Sequence, residues 1–275
     1  MSAETRRRIL ILLDASAESL AATEATAELA AALRAELVGL FVEDAELLEL
    51  AGYPLARVLD PLTGTLHPLD GLALDNRLRA QAMRARDTLL RTARARGVLC
   101  SFRVERGKVL EEIQVASKEV DLVTLSRVGW SAGRGRLGST AQAVLSAGSR
   151  SVFVHGRKAP SGAPVFVCYD ESSGSRAALE LAAELASRGG SPLSVVVFAP
   201  SEEAARLRES EVRRAVVGQD LDLRFEPHVP DGDALVESLR NEPCALLVLP
   251  ARGPVPAQEI ASVVVEVEAP VLITR

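Results

Sequence analysis

The sequence predicts an α/β protein made of two tandem halves, each a five-stranded parallel sheet covered by helices. Three observations predict it. The chain repeats itself: residues 14–30 and 170–186 align without a gap at an offset of 156, and ten of the seventeen positions match, including Asp14/Asp170, Ser16/Ser172, Ser19/Ser175 and Glu24/Glu180. Such self-similarity marks one supersecondary unit used twice. Short apolar runs alternate with helical segments along the chain, the pattern of parallel strands buried on both faces. Finally, 275 residues with 48% apolar content hold two domains of ordinary size, each able to bury its own core.

The elements follow in order. Residues 9–13 are a continuous apolar run closed by Asp14, which suits a fully buried strand. Ser16 precedes a long Ala/Leu helix whose apolar stripe includes Ala22, Ala25, Leu29 and Leu33. Residues 36–42 read as a second strand. The stretch 44–74 is broken by Gly52, Pro54, Pro61, Gly64, Pro68 and Gly71; only 45–50 looks helical, and the segment is too long for an ordinary connection. It is read as an insertion: a lid, an interaction surface or an elaborated loop. Asp75 is placed as the cap of a helix running to Arg96, with Leu78, Ala82, Leu89 and Ala93 on one face and Gly97 as its stop. A third strand covers 99–104, a short helix 107–118 and a fourth strand 121–125. A glycine- and arginine-rich segment, 126–138, leads into a helix over 139–147 and a fifth strand over 151–155.

The composition of 156–164, GRKAPSGAP, is that of a linker. The expected division is a first domain over 1–156 with the insertion at 44–74, a linker over 157–163, and a second domain over 164–275. The second half repeats the order in shorter form: strands at 165–169, 193–198, 222–229, 245–249 and 271–274, with helices at 173–187, 202–217, 233–241 and 258–264.

Bulk properties exclude several classes. A net charge of −5 lacks the basic footprint of a nucleic-acid binder. No run is long enough for a membrane span or has the form of a signal peptide, so a cytoplasmic location is expected. Cys100, Cys168 and Cys244 form no CxxC pair and read as buried, reduced thiols. His67, His155 and His228 are scattered without metal-ligand spacing. No Ser/His/Asp set, nucleophile elbow, Walker motif or paired catalytic carboxylates stand out, and no enzyme activity is expected.

Ligands of doubly wound sheets lie beyond the C-terminal ends of the strands. Three pieces fall there in the first half: Asp14, the segment 42–44, and the loop Ser126-Arg-Val-Gly129-Trp-Ser-Ala-Gly133-Arg-Gly135-Arg-Leu-Gly138-Ser139-Thr140. Glycines let backbone N–H groups approach phosphate oxygens, and a helix starting at Ser139 or Thr140 adds free amides and its dipole. Arg127, Arg134 and Arg136 are candidates to supply positive charge. Asp14 keeps two readings, a cap for the next helix or a ligand contact; Asp170 reads as a cap. Trp130 is a packing anchor or a contact to a ligand or partner. Gly133-x-Gly135-x-x-Gly138 matches the dinucleotide fingerprint, but seven residues separate it from its strand and no acid follows.

These residues resemble the universal stress protein family, and the whole chain resembles a tandem pair of its domains. The resemblance implies Rossmann-like domains of the adenine-nucleotide α-hydrolase-like kind, paired through their last strands as an intramolecular pseudo-dimer, with a homodimer as a further possibility. Nucleotide-binding members carry a loop of form G-x2-G-x9-G-[ST] and hold ATP with magnesium. The carry-over places Asp14 and Val42 at the adenosine, and Gly129, Gly138, Ser139 and Thr140 at the phosphates, with Ser126 also expected among the nucleotide-binding residues. This chain departs from the pattern: Ser126 replaces the first glycine, and eight residues instead of nine separate Gly129 from Gly138. In the second half the corresponding loop is shorter and carries Pro250, Pro254 and Pro256, with Ala257 and Gln258 where Gly138 and Ser139 stand. Two functions are therefore expected: an ATP-binding regulatory protein with one working site, or a nucleotide-independent interaction module. An adenylate-forming ligase would need a phosphate loop after strand one, which Asp14-Ala-Ser-Ala-Glu lacks.

Overall fold

The structure is a computed structural model that describes residues 6–14, 16–59, 64–127, 137–147, 150–216, 220–226, 232–240 and 242–275. In chain order the elements of the first half are β1 (Arg8–Leu12), α1 (Ala17–Leu33), β2 (Glu36–Asp44), α2 (Ala45–Ala51), β3 (Arg57–Leu59), β4 (Leu66–Pro68), α3 (Gly71–Ala95), β5 (Cys100–Gly107), α4 (Val109–Ser117), β6 (Leu122–Leu125), α5 (Ser139–Ala147) and β7 (Ser151–Val154). The second half contains β8 (Val165–Tyr169), α6 (Ser173–Gly189), β9 (Leu193–Phe198), α7 (Glu202–Ala215), β10 (Leu221–Glu226), α8 (Gly232–Leu239), β11 (Leu246–Pro250), α9 (Ile260–Glu266) and β12 (Val271–Thr274). Residues 155–164 run between β7 and β8 without helix or strand.

Ten strands form one sheet in the order β10-β9-β8-β11-β12-β7-β6-β1-β2-β5. Within each half all neighbours are parallel, and β7 and β12 meet antiparallel. Each half therefore has a doubly wound order, with its switch point between β1 and β6 or between β8 and β11. The central pairing is Val152–Ile273, Phe153–Leu272 and Val154–Val271. Phe153 and Leu272 face each other at its centre, so exchanging the halves maps the pairing onto itself, as in an isologous two-fold contact.

The apolar runs become strands because both faces of the sheet are covered. Ile9 and Ile11 point into one cluster with α1, α3 and α6; Leu10 points into the other, with α4, α5, α8 and α9. The repeat builds the same helix entry twice. Ser16 accepts from the Ser19 N–H at 3.0 Å, and Ser172 from the Ser175 N–H at 3.2 Å. The exits differ. Both helices end on a left-handed residue, Gly190 at φ 63° and Arg34 at φ 51°, where a side chain is disfavoured.

Several expectations are corrected. Asp70, not Asp75, caps α3; its Oδ1 accepts from Leu72 and Ala73 N–H at 2.9 and 3.3 Å. The helix thus starts five residues earlier than the pattern of its buried face suggested. Gly107 ends β5 instead of opening α4. The insertion contains α2, capped by Asp44, and a small antiparallel hairpin of β3 and β4. Cys168 and Cys244 are buried and Cys100 is half-buried. Burial pushes the Cys100 thiol up to about 11 and Cys244 to about 12, and raises Cys168 further, which keeps all three as inert thiols.

The two halves are also joined by side chains. Arg7 pairs with Glu184 at 3.1 Å. The Arg127 guanidinium donates to the carbonyls of Val265 (3.3 Å), Val267 and Ala269 (2.9 Å) at the end of α9. In return Arg275 donates to the Leu145 carbonyl near the end of α5. Each arginine places its charge where the opposing helix presents unpaired carbonyls and the negative end of its dipole.

Candidate functional site

The first-half switch point gathers the described candidates. Asp14 follows β1, Val42 lies near the end of β2, Ser126 follows β6, and Gly138–Thr140 open α5. Since β1 pairs with both β2 and β6 in parallel, the C-terminal ends of all three strands lie on one rim of the sheet. Gly129, together with Trp130, Gly133, Arg134, Gly135 and Arg136, lies outside the described residues.

Asp14 is half-buried and shapes the turn. Its N–H donates to Ser19 Oγ at 3.2 Å, and its Oδ1 accepts from the Ser16 N–H at 3.0 Å. Among the described residues its Oδ2 makes no hydrogen bond. The capping reading of Asp14 therefore describes one carboxylate oxygen and leaves the other available. Asp170 repeats the geometry: its N–H donates to Ser175 Oγ at 3.3 Å, and its Oδ1 accepts from Ser172 N–H at 3.1 Å and Ser172 Oγ at 2.6 Å.

Val42 is half-buried against the cluster that holds Leu10. The neighbouring Glu43 is only 6% exposed and accepts from Arg106 Nε and Nη2 at 2.8 and 2.6 Å. Arg106 also holds Asp75 at 2.6 Å, and Asp75 holds Arg79 at 2.9 Å. This chain of charges fixes the ends of β2 and β5 against α3. Apart from the i,i+4 pair of Asp75 and Arg79, no local pattern signals it, because Arg106 lies 31 residues from Asp75 and 63 from Glu43.

The glycine loop has described ends. The Gly138 N–H donates to the Arg127 carbonyl at 3.4 Å, and the Gly138 carbonyl accepts the Gln142 N–H at 3.0 Å, starting α5. Gly138 is buried and Thr140 half-buried. Arg127 corrects an expectation. It does not offer its guanidinium to an anion, because that group is bonded to carbonyls of the second half, and burial lowers its pKa from the usual arginine value.

The corresponding place in the second half is filled by the protein itself. Phe198 on β9 stands at the register position of Val42, and its carbonyl accepts from Arg208. Arg208 pairs with Glu171 at 3.2 Å, Arg176 reaches Glu171 and Glu211 at 3.8 and 3.7 Å, and Tyr169 Oη donates to Glu211 at 2.9 Å. The chain after β11 folds onto the start of α6. A Cβ on Gly174 would stand 2.3 Å from the Arg252 carbonyl oxygen. The first half has Glu18 at that repeat position.

Among the described residues no group of three or more His, Cys, Asp or Glu could hold a metal ion, and no helix is long and apolar enough to cross a membrane. A magnesium ion accompanying a nucleotide would rest on phosphate oxygens and hydroxyls, and the Thr140 hydroxyl is the described side-chain group of that kind at the start of α5.

Comparison with known proteins agrees with this architecture. The family model described as "Universal stress protein family" matches residues 5–155. A universal stress protein from Archaeoglobus fulgidus DSM 4304 superposes with a TM-score of 0.72 at 19% identity, covering 98% of each chain. A putative universal stress protein from Pseudomonas aeruginosa UCBPP-PA14 gives 0.58 at 16% identity, covering 98% of this chain and 93% of that one. The cytoplasmic domain of a prokaryotic cation chloride cotransporter gives 0.55 at 12% identity, covering 98% of this chain and 95% of that one. No curated protein matches significantly. With a Rossmann-like α/β fold in doubly wound order and a family match over more than half its length, the chain belongs to the universal stress protein family.

Proposed function

We propose that the protein binds an adenine nucleotide, ATP with magnesium, in its first half alone, and that it acts in the cytoplasm as a regulator instead of a catalyst. The observation that carries this reading is the contrast between the two switch points. The second is occupied by Arg208, Glu171 and the chain after β11. The first presents Gly138, Ser139 and Thr140 at a helix start, the arrangement that suits phosphate oxygens; an Oδ2 unbonded among the described residues is common to Asp14 and Asp170 and is no part of the contrast. The division into a first domain over 1–156, a linker over 157–163 and a second domain over 164–275 belongs to the same proposal, as does the role of the second domain as structural partner.

The test is thermal unfolding with millimolar Mg-ATP, AMP or NAD. A ligand at about a hundred times its dissociation constant stabilises the native state by about 2.7 kcal/mol, or roughly 5–10 °C. Gly138→Asp places a carboxylate at the phosphate position and is expected to abolish the shift. Equal shifts in variant and wild type would refute the site. A second reading, a nucleotide-independent interaction module, is favoured by one observation. The insertion and the start of α3 expose Tyr53 (66%), Leu55 (84%), Leu66 (63%) and Leu72 (72%). No shift with any nucleotide would select it.

A further inference from the structure

Arg127 has two attachments that point in opposite directions. Its carbonyl accepts the Gly138 N–H, so its backbone holds the described end of the glycine loop and the start of α5. Its guanidinium reaches three carbonyls of Val265, Val267 and Ala269, and its Nε lies 3.4 Å from the His155 carbonyl. These acceptors run from the last turn of α9, at Val265, through Val267 and Ala269 towards β12. One residue therefore joins the start of a helix in one half to the end of the equivalent helix in the other. The second half has Ala251 at the register position of Arg127, so the link runs one way. The return contact, from Arg275 to Leu145, lies at the far end of α5 from Gly138.

We propose that Arg127 couples the phosphate-facing start of α5 to the segment 265–269 of the second half, so that what happens at Gly138 is felt in the second half. Its value as a regulatory device rests on the nucleotide reading above; the mechanical coupling does not. An anion held by the backbone amides of Ser139 and Thr140 keeps the neighbouring Gly138 in place, and with it the bond from the Gly138 N–H to the Arg127 carbonyl; Arg127 then restricts the carbonyls its guanidinium binds. By linkage the effect is reciprocal: a firmer junction raises affinity at the loop. The segment 266–269 also forms one wall of a cleft of about 870 Å³ that is lined further by Arg157, Lys158 and Arg240. Coupling at Arg127 therefore brings a distant surface of the second half under the influence of the loop.

The experiment is amide hydrogen exchange on the full chain without nucleotide, comparing wild type with Arg127→Met. Exchange is expected to quicken about tenfold both at 138–142 and at 265–269, with the β1 amides unchanged. Quickening at 265–269 alone would overturn the coupling and leave Arg127 as a simple staple. Should Arg127→Met fail to fold, Arg127→Lys, which keeps the charge but loses the fork of donors, is read in the same way. Arg275→Met is the control. It is expected to leave Gly138 unchanged, and equal quickening there would overturn the proposal by showing general loosening. In a second arm, saturating Mg-ATP is expected to slow exchange at 265–269 in wild type, and Arg127→Met to lose that slowing while still binding ATP. ATP binding without slowing overturns the coupling and spares the nucleotide reading. Absence of ATP binding defeats the nucleotide reading, and the first arm alone then decides the coupling.

Discussion

Gly156→Ala tests the junction between the halves directly. Gly156 follows β7, where the chain passes the approach to β12. A Cβ there would stand 2.3 Å from the Ala269 carbonyl carbon, 2.4 Å from its oxygen and 2.5 Å from the Glu268 oxygen. All three are backbone atoms, so no rotamer change relieves the clash. Ordinary contact requires a separation of about 1 Å more, and that movement must come from the β7–β12 pairing or from the bond between Arg157 N–H and the Glu268 carbonyl at 2.7 Å. Overpacking costs typically about 1–3 kcal/mol; with only backbone to yield, the upper end is expected. For a chain of this size that is a fall in Tm of roughly 6 °C or more, read by calorimetry or circular dichroism. Gly189→Ala is the matched control: its Cβ meets only Ser191 Oγ at 3.8 Å, and at the end of a helix alanine is neutral or stabilising by up to about 1 kcal/mol. If Gly156→Ala melted within 1 °C of wild type, the edge-to-edge closeness of the halves would be refuted.

The remaining predictions use other features. Arg34→Gly, which installs the residue found at Gly190, is expected to stabilise by about 0.5–1 kcal/mol by relieving the left-handed backbone at φ 51°; a loss of stability on denaturant titration would show that the Arg34 side chain matters more than its backbone. His155 is bonded through Nε2 to Thr26 Oγ1 at 3.0 Å, and burial lowers its pKa from 6.5 to about 4. The folded state therefore holds the ring neutral, and its contribution is fully present above pH 6.5. The contribution falls as the unfolded chain protonates between pH 6.5 and 4, and levels off below pH 4 after a loss of roughly 3 kcal/mol. His155→Gln should remove that slope, and parallel pH profiles of wild type and variant would contradict it.

Much of this fold is readable in the sequence because its determinants are local. Ile9–Ile11, Val165–Val167 and Leu247–Leu249 announce buried strands by uninterrupted apolarity, and the Asp-x-Ser-x-x-Ser spacing announces the same capped turn twice. Features that failed to show were either weakly patterned or nonlocal. β3 and β4 are three residues long and exposed on every residue, so neither burial nor alternation marks them. Asp70 was hidden because the first turn of α3, Gly71-Leu72-Ala73-Leu74, is apolar throughout, and only Leu74 of its two leucines packs on the core, so no polar face marks the start. Arg127 was misread because an arginine beside glycines suggests an anion, while its acceptors lie 138 to 142 residues away. The occupied state of the second site was legible only in part: three prolines signalled a lost loop, whereas nothing local paired Arg208 with the Phe198 carbonyl.

The antiparallel meeting of β7 and β12 also sets an order of events in folding. The first half can complete β5-β2-β1-β6-β7 from its own residues. Its outer strand then stays open until a partner made about 120 residues later arrives, and an open strand is a template for any passing chain. The short pairing of Val152–Val154 with Val271–Ile273 thus serves as the closing step that turns two self-sufficient sheets into one molecule. It also leaves only β5 and β10 as outer edges of the ten-stranded sheet.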